Sequence, residues 1–268
     1  TLPPMKEGCR VAVLVPARFE SVNIENLLDQ YSKQMNSSGD PINTDLFELN
    51  VIVNRKKSET PDDSVDRINH WKTQHPEISV NLVDIAFDDN KACVGLARKY
   101  ISDITLMRAA VRDQSAGPLY IESEDADLFS VDRRTVWKLI HDFDKNPEVD
   151  VLRGIQDRQP EILLKNDLLF FQRRLWDFME VFLRDPKYRP DRNQKANFVW
   201  NRAVSGGWNT AFSAEVLAQI GGYNPTRVIG EDMEIGQRIS MLRGDRDPNT
   251  GVRVPNTWTS RPSGLRSN

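Results

Sequence analysis

Clustered acids at the end of a short apolar run are the residues whose types and spacing speak most directly of chemistry. In Leu119–Ser130, LYIESEDADLFS, the run ends in Glu122, Glu124, Asp125 and Asp127, and a helical pattern begins soon afterwards. Such a run reads as a buried strand delivering carboxylates to one edge of a sheet. In open α/β sheets that edge, outside the carboxyl ends of the strands, is where ligands bind. Packed carboxylates repel one another unless positive charge sits among them, and a hard divalent cation with oxygen ligands supplies it. Asp-x-Asp occurs three times, at Asp125/Asp127, Asp142/Asp144 and Asp245/Asp247. Only the first directly follows an apolar strand, so position singles it out.

Further residue sets have chemistry to offer. Pro16–Ser21, PARFES, closes the first apolar run without a single glycine. A dinucleotide-binding turn would need G-x-G-x-x-G there, so backbone amides alone do not cradle a diphosphate; Arg18 and Glu20 are placed instead to contact a base or ribose. Arg98, in DNKACVGLARK, stands in the first turns of a helix, and a guanidinium suits a diphosphate bidentately. By itself it reads equally as a solvated helix arginine. Gly230-Glu231-Asp232 precedes an amphipathic helix. Acids there cap the helix and favour its dipole, and a loop-borne carboxylate also serves as a general base. Trp208, beside paired glycines, would stack on a sugar ring or pack in a core. His70, His75 and His141 follow neither nucleophile nor zinc spacing.

These residues must be positioned by an alternation of strands and helices. The apolar runs Val11–Val15, Leu49–Val53, Val80–Val83, Leu119–Ile121 and Val151–Ile155 predict strands. Between them, Ile24, Leu27, Leu28 and Tyr31 recur at helical spacing, with Ser21 or Asn23 as N-cap. Val65, Ile68 and Trp71 mark a second helix after Pro61. Gly95–Arg112 predicts a third, with Leu96, Tyr100, Ile104, Met107 and Val111 along one face. Val136, Ile140 and Phe143 predict a fourth, ending near Asn146-Pro147. Strands separated by helices of this length imply an α/β fold, a mostly parallel sheet with helices on both faces. Beyond it, Leu168, Phe171, Leu175, Phe178 and Phe182 define an aromatic helix face. Asp185–Ala196 reads as a mobile loop, a candidate lid over an acceptor cleft, and Asp232–Leu242 as one more helix.

Composition narrows the class. With 268 residues, 39% hydrophobic and 28% charged, the chain is globular and long enough for one large α/β core. We expect a single domain, 1–268, with a nucleotide-type half over 1–130 and a less regular half over 131–268. A net charge of −3 and a pI near 5.7 argue against nucleic acid as partner. Cys9 and Cys93 give no disulfide framework and read as reduced thiols of a cytoplasmic protein. No apolar run approaches the roughly 18 residues that span a bilayer.

Taken in order, these segments resemble the GT-A glycosyltransferases, above all family 2, from Val11 to about Arg261. VAVLVPARFES is similar to the family's opening strand, GLARK to its A-R-N segment and ESEDADLF to its D-x-D strand end. SGGWNTAFSAEVLAQIGGYNPTRVIGEDMEIGQRI resembles its acceptor segment, with G-G-[FY] and an E-D pair. The resemblance implies a nucleotide-diphospho-sugar transferase fold and a Mn2+ or Mg2+ cofactor. It implies two partners, a nucleoside-diphosphate sugar donor and a hydroxyl-bearing acceptor such as a sugar, a glycerate-like molecule or a glycan. On this likeness Pro16, Ala17, Arg18, Glu20, Asn54, Arg98 and Asp125 bind the donor, and Asp125 and Asp127 hold the metal. Trp208, Asn209, Glu231 and Arg261 meet the acceptor, and Asp232 is the catalytic base of an inverting reaction. Three departures stand out. Asn54 occupies the place of an aspartate that closes strand two, no histidine follows Asp232 as a further metal ligand, and Q-x-x-R-W is absent. Gln172–Trp176, QRRLW, lacks the arginine and lies before the E-D pair, which favours single addition over processive synthesis. The alternatives are a retaining member acting on a glycerate or phosphoglycerate acceptor, and a non-catalytic sugar-binding module on the same fold.

Overall fold

The computed structural model describes residues 2–113, 115, 117–156, 209–228, 230–243 and 260–267. Its strands are β1 (Val11–Ala17), β2 (Phe47–Lys56), β3 (Val80–Phe87), β4 (Tyr120–Ser123), β5 (Val151–Gln156), β6 (Thr210–Ser213) and β7 (Ser260–Ser267). The helices, numbered in chain order, are α1 (Ile24–Ser32), α2 (Ser64–Gln74), α3 (Val94–Ala110), α4 (Thr135–Lys145), α5 (Ala214–Gln219) and α6 (Glu231–Arg243). Every strand and helix expected within these residues is present. β2 and β3 run several residues longer than their apolar runs, because partners continue the ladder through Lys56 and Phe87.

The strands form one sheet in the order β3-β2-β1-β4-β6-β5-β7. β1, β2, β3 and β4 are mutually parallel, and β5 pairs in parallel with β7. β6 runs antiparallel to both β4 and β5 and splices the two parallel groups together. Helices cover both faces, so β1 is buried at every position but Pro16 and reads as an apolar run. Its odd positions Val11, Val13 and Val15 face the layer of α1, α2 and α4, with Leu28, Ile68 and Phe143. Its even positions Ala12 and Leu14 face α3, α5 and α6, with Ile101, Leu217 and Ile235. Each such aliphatic side chain contributes roughly 1.5–3 kcal/mol on leaving water.

α3 buries a face other than its apolar stripe. The stripe Tyr100, Met107 and Val111 faces outward, with Met107 72% and Val111 83% exposed. The buried face is instead Gly95, Ala97, Arg98, Ile101, Ser102 and Thr105. Small residues let the helix approach the sheet closely, and its polar members find buried partners there. Asn50 Nδ2 donates to Thr105 Oγ1 at 3.1 Å. Periodicity of apolar residues misses a face whose burial is satisfied by hydrogen bonds and charge pairs.

One correction concerns the start of α1. Asn23 stands at the N-cap, but its side chain caps nothing; its Nδ2 donates to Glu20 Oε2 at 2.9 Å. Both cysteines are buried free thiols. No helix among the described residues is long and apolar enough to cross a membrane.

Candidate functional site

From β1 the chain winds outward through β2 and β3; α3 then carries it back to β4 on the other side of β1. That reversal between β1 and β4 is a topological switch point, where a crevice opens beyond the carboxyl ends of the strands. PARFES leaves β1 at this edge and ESEDADLF leaves β4 there.

The four acids of the β4 segment separate into two pairs. Glu122 and Glu124 point into the core on the α1 side and are fully buried. Tyr31 Oη on α1 lies 3.1 Å from Glu122 Oε2 and 3.4 Å from Glu124 Oε1, and one hydroxyl proton serves only one of them. Burial pushes the Glu122 carboxyl up to about 7. Burial and the neighbouring Glu122 push Glu124 well above the usual carboxylate range. Burial thus favours a proton retained on the pair. Asp125, half-buried, and Asp127, exposed, continue outward to the crevice. The second Asp-x-Asp is structural: Asp144 accepts from Arg10 Nη2 at 2.6 Å and from Tyr120 Oη at 2.7 Å.

Arg98 connects this edge with the acceptor segment. Its Nη2 donates to Asp125 Oδ1 at 2.5 Å and its Nη1 donates to Glu231 Oε1, and its side chain is 3% exposed. The guanidinium also lies over the Tyr223 ring, 6.0 Å from the centroid. Burial opposes its charge, but Tyr223, Asp125, Glu231 and Asp232 more than offset that and keep it protonated. Burial likewise raises the Asp125 carboxyl; Arg98 lowers it, and Asp127, Glu231 and Asp232 raise it again. One guanidinium thus faces three acids, Asp125, Glu231 and Asp232, with Asp127 acting on Asp125, a surplus of negative charge that suits a divalent cation with oxygen ligands. Among the described residues no group of three or more His, Cys, Asp or Glu side chains is gathered for a metal. Asp125 and Asp127 by themselves offer two carboxylates, fewer than such a group.

α6 owes its position to the G-G-Y break. Gly221 and Gly222 adopt positive φ of 76° and 70°, the left-handed region where glycine carries no Cβ penalty. Arg238, one turn after Glu234 on α6, donates from Nη1 to the carbonyl of Ile220 at 2.6 Å and from Nη2 to that of Gly222 at 2.7 Å. This locks the helix to the break and presents Glu231 and Asp232 in its first turn. Gly95 packs so closely on the 224–227 turn that a Cβ there would lie 2.4 Å from the Arg227 carbonyl oxygen.

The structure thus brings Arg98, Asp125 and Glu231 into direct contact, with Asp127 and Asp232 in their electrostatic field. Arg18 and Glu20 part company: Arg18 Nη2 turns to Glu59 on the loop after β2, while Glu20 accepts from Asn23. Asn54 is buried, and its Nδ2 donates to the Ala17 carbonyl at 3.0 Å. An aspartate has no proton to give that carbonyl, which explains the amide at the end of β2. Asn209 opens β6 in a left-handed conformation, φ 50°. Arg261 lies in β7, opposite Leu152 of β5. Trp208, the aromatic face 168–182, QRRLW, the 185–196 loop and Asp245/Asp247 fall outside the described residues. Sequence reasoning missed Tyr31, Glu59 and Arg238. Tyr31 is visible only as a member of the α1 stripe, and its acids lie more than ninety residues on. The Arg18 partner of Glu59 lies 41 residues back. Arg238 has a local partner in Glu234, but its hold on the G-G-Y break needs the fold.

No protein-family profile matches the chain, and no curated protein matches it in sequence. Solved structures do match. Over 99% of this chain and 58% of the other, the fold resembles a mannosyltransferase from Pyrobaculum calidifontis in complex with GDP-Man and Mn2+, at TM-score 0.59 and 19% identity. A glucosyl-3-phosphoglycerate synthase from Mycobacterium tuberculosis, in complex with Mn2+, UDP-Glc and phosphoglyceric acid, matches at TM-score 0.44 and 17% identity, over 80% of this chain and 59% of that one. The chain spans less than two thirds of either structure's length. At such identity the likeness to the mannosyltransferase is one of fold, and with the strand order and the acids at the β1/β4 switch point it identifies this chain as having a GT-A-type fold.

Proposed function

We propose that the chain is a metal-dependent glycosyltransferase that moves a sugar from a nucleoside-diphosphate donor to a hydroxyl acceptor, with inversion and by single additions. The observation that carries this reading is the Arg98 bridge, which brings Asp125 at the end of β4 together with Glu231 at the start of α6. Donor-side and acceptor-side acids thereby face one crevice on a GT-A-type fold.

In this reading the donor's base and ribose lie along Pro16, Ala17, Arg18 and Glu20 beyond β1, with Asn54 supporting the end of that strand from beneath. Asp125 and Asp127 would hold a Mn2+ or Mg2+ ion through carboxylate oxygens. Such an ion, when bound, offsets the negative charge that builds on the departing diphosphate. The anomeric carbon passes through an oxocarbenium-like transition state, as in glycoside hydrolysis. Asp232 takes the acceptor hydroxyl's proton as its oxygen attacks, and Glu231, Asn209, Trp208 and Arg261 are the residues assigned to the acceptor in this reading. Attack from the face opposite the diphosphate inverts the anomeric centre. The absence of Q-x-x-R-W supports single additions.

Thermal-shift titration with a panel of nucleotide sugars, with and without Mn2+, tests the reading. A true donor at 100-fold its dissociation constant should stabilise the protein by about 2.7 kcal/mol, and only with the metal. NMR of the product then reads the anomer. Metal-independent or absent nucleotide binding overturns the reading, and a product with the donor's own anomeric configuration overturns inversion.

A further inference from the structure

We infer that Arg98 is a positioning residue, which sets the acceptor-side acids of α6 in register with the acids at the end of β4 rather than binding the diphosphate itself. This takes the reading above as its ground. Both Nη groups are committed, one to Asp125 and one to Glu231, and the side chain is 3% exposed. A guanidinium so placed has no face turned to the crevice. Its planar fork is what lets one side chain span two carboxylates on separate elements.

The elements that carry the fork are themselves fixed. Gly95, one turn before Arg98, sits where a Cβ would lie 2.7 Å from the Asn224 carbonyl oxygen, and Cys93 Sγ contacts the Pro225 carbonyl at 3.4 Å. The first turn of α3 is thus a post against which the 224–227 turn rests, and Arg98 holds α6 at a set distance from it. Asp232 follows Glu231 directly, so whatever anchors Glu231 also places Asp232. Misplacing a reacting group by about an ångström costs about a hundredfold in rate. A lysine at position 98 would keep the positive charge but is a point charge that cannot fork two carboxylates.

The test is Arg98→Lys, read by donor binding, by steady-state kinetics and by hydrogen exchange. Donor affinity in Mn2+ should stay within about threefold while kcat falls by about a hundredfold. Amides of residues 230–235 should exchange faster, with β1 and β2 unchanged. Donor affinity weakened by more than about tenfold with kcat preserved would make Arg98 a diphosphate ligand and overturn the inference. So would unchanged exchange at 230–235. Should the wild-type chain bind no nucleotide sugar, the proposed function fails, and the exchange measurement still decides whether Arg98 positions α6. Glu231→Ala removes the acceptor of Arg98 Nη1 from the α6 side, and serves if the lysine variant does not fold. It should show the same separation of kcat from donor affinity and the same faster exchange, and their absence overturns the inference equally.

Discussion

Glu124 accepts the backbone N–H of Asn209 at 2.9 Å, tying the end of β4 to the left-handed residue that opens β6. The Asn209 carbonyl in turn accepts the N–H of Gly154 at 2.8 Å, so one buried carboxylate organises the junction of three neighbouring strands. It does so while sharing its burial with Glu122. Two carboxylates this close, both out of water, cannot both ionise without a large penalty.

That pair makes stability depend on pH. Glu122 is pushed up to about 7 by burial, against an ordinary value of 4.5. The native state therefore holds a proton that the unfolded chain has lost between those values. The stability it carries is fully present below the ordinary value and is lost as pH rises through about 7. Glu122→Gln replaces the titrating proton by permanent amide hydrogens. Its stability relative to wild type should rise by up to a few kcal/mol between about pH 5 and pH 8, as read by urea melts at each pH. A pH-independent difference would show that the pair does not retain a proton.

Asp127 is exposed, so its removal should leave the fold within about 0.5 kcal/mol of wild type. Asp127→Ala should nonetheless abolish metal-dependent binding of the nucleotide sugar. Calorimetry with Mn2+ and with EDTA checks both parts. Equal donor affinity in the two buffers for the wild-type chain would remove the metal assignment.

Asp232→Asn separates a base from a first-turn helix acid. Asp232 lies in the first turn of α6, where asparagine forfeits only a modest interaction with the helix dipole, but it cannot take the acceptor's proton. Donor binding should stay near normal while turnover falls by at least about a hundredfold. Asp232→Glu should recover little, because the longer side chain misplaces the carboxylate. Near-normal turnover in the asparagine variant would reduce Asp232 to a first-turn acid that favours the dipole of α6.

Gly95→Ala opposes two effects of known sign. Helix propensity alone favours alanine by about 1 kcal/mol. The new methyl, however, would meet the backbone oxygens of Arg227 and Asn224 at 2.4 and 2.7 Å. Overpacking of that kind costs about 1–3 kcal/mol, so net destabilisation is expected, together with lower turnover as α3 and the 224–227 turn separate. Chemical denaturation gives the sign directly; a stabilised variant would show that the contact yields.

What the sequence determined by itself was set by local periodicity. The apolar run Val11–Val15 announces a strand because both its faces are covered. Ile24, Leu27, Leu28 and Tyr31 announce α1 because all four point to one side. The position of Asp125 and Asp127 just past an apolar strand placed them at the ligand edge of the sheet. The tertiary structure alone decided which side chains answer one another. Arg98 finds Asp125 at a separation of 27 residues and Glu231 at 133, and no local pattern encodes such a pairing. The inner face of α3 escaped the apolar pattern for the same reason, since Arg98 and Thr105 are buried against partners on other elements, while Ser102 bonds back to its own helix. Glu122 and Glu124 looked like two more acids at the ligand edge. The alternation of side chains along β4 instead turned them inward to Tyr31, where burial favours a retained proton, while Asp125 and Asp127 continue outward.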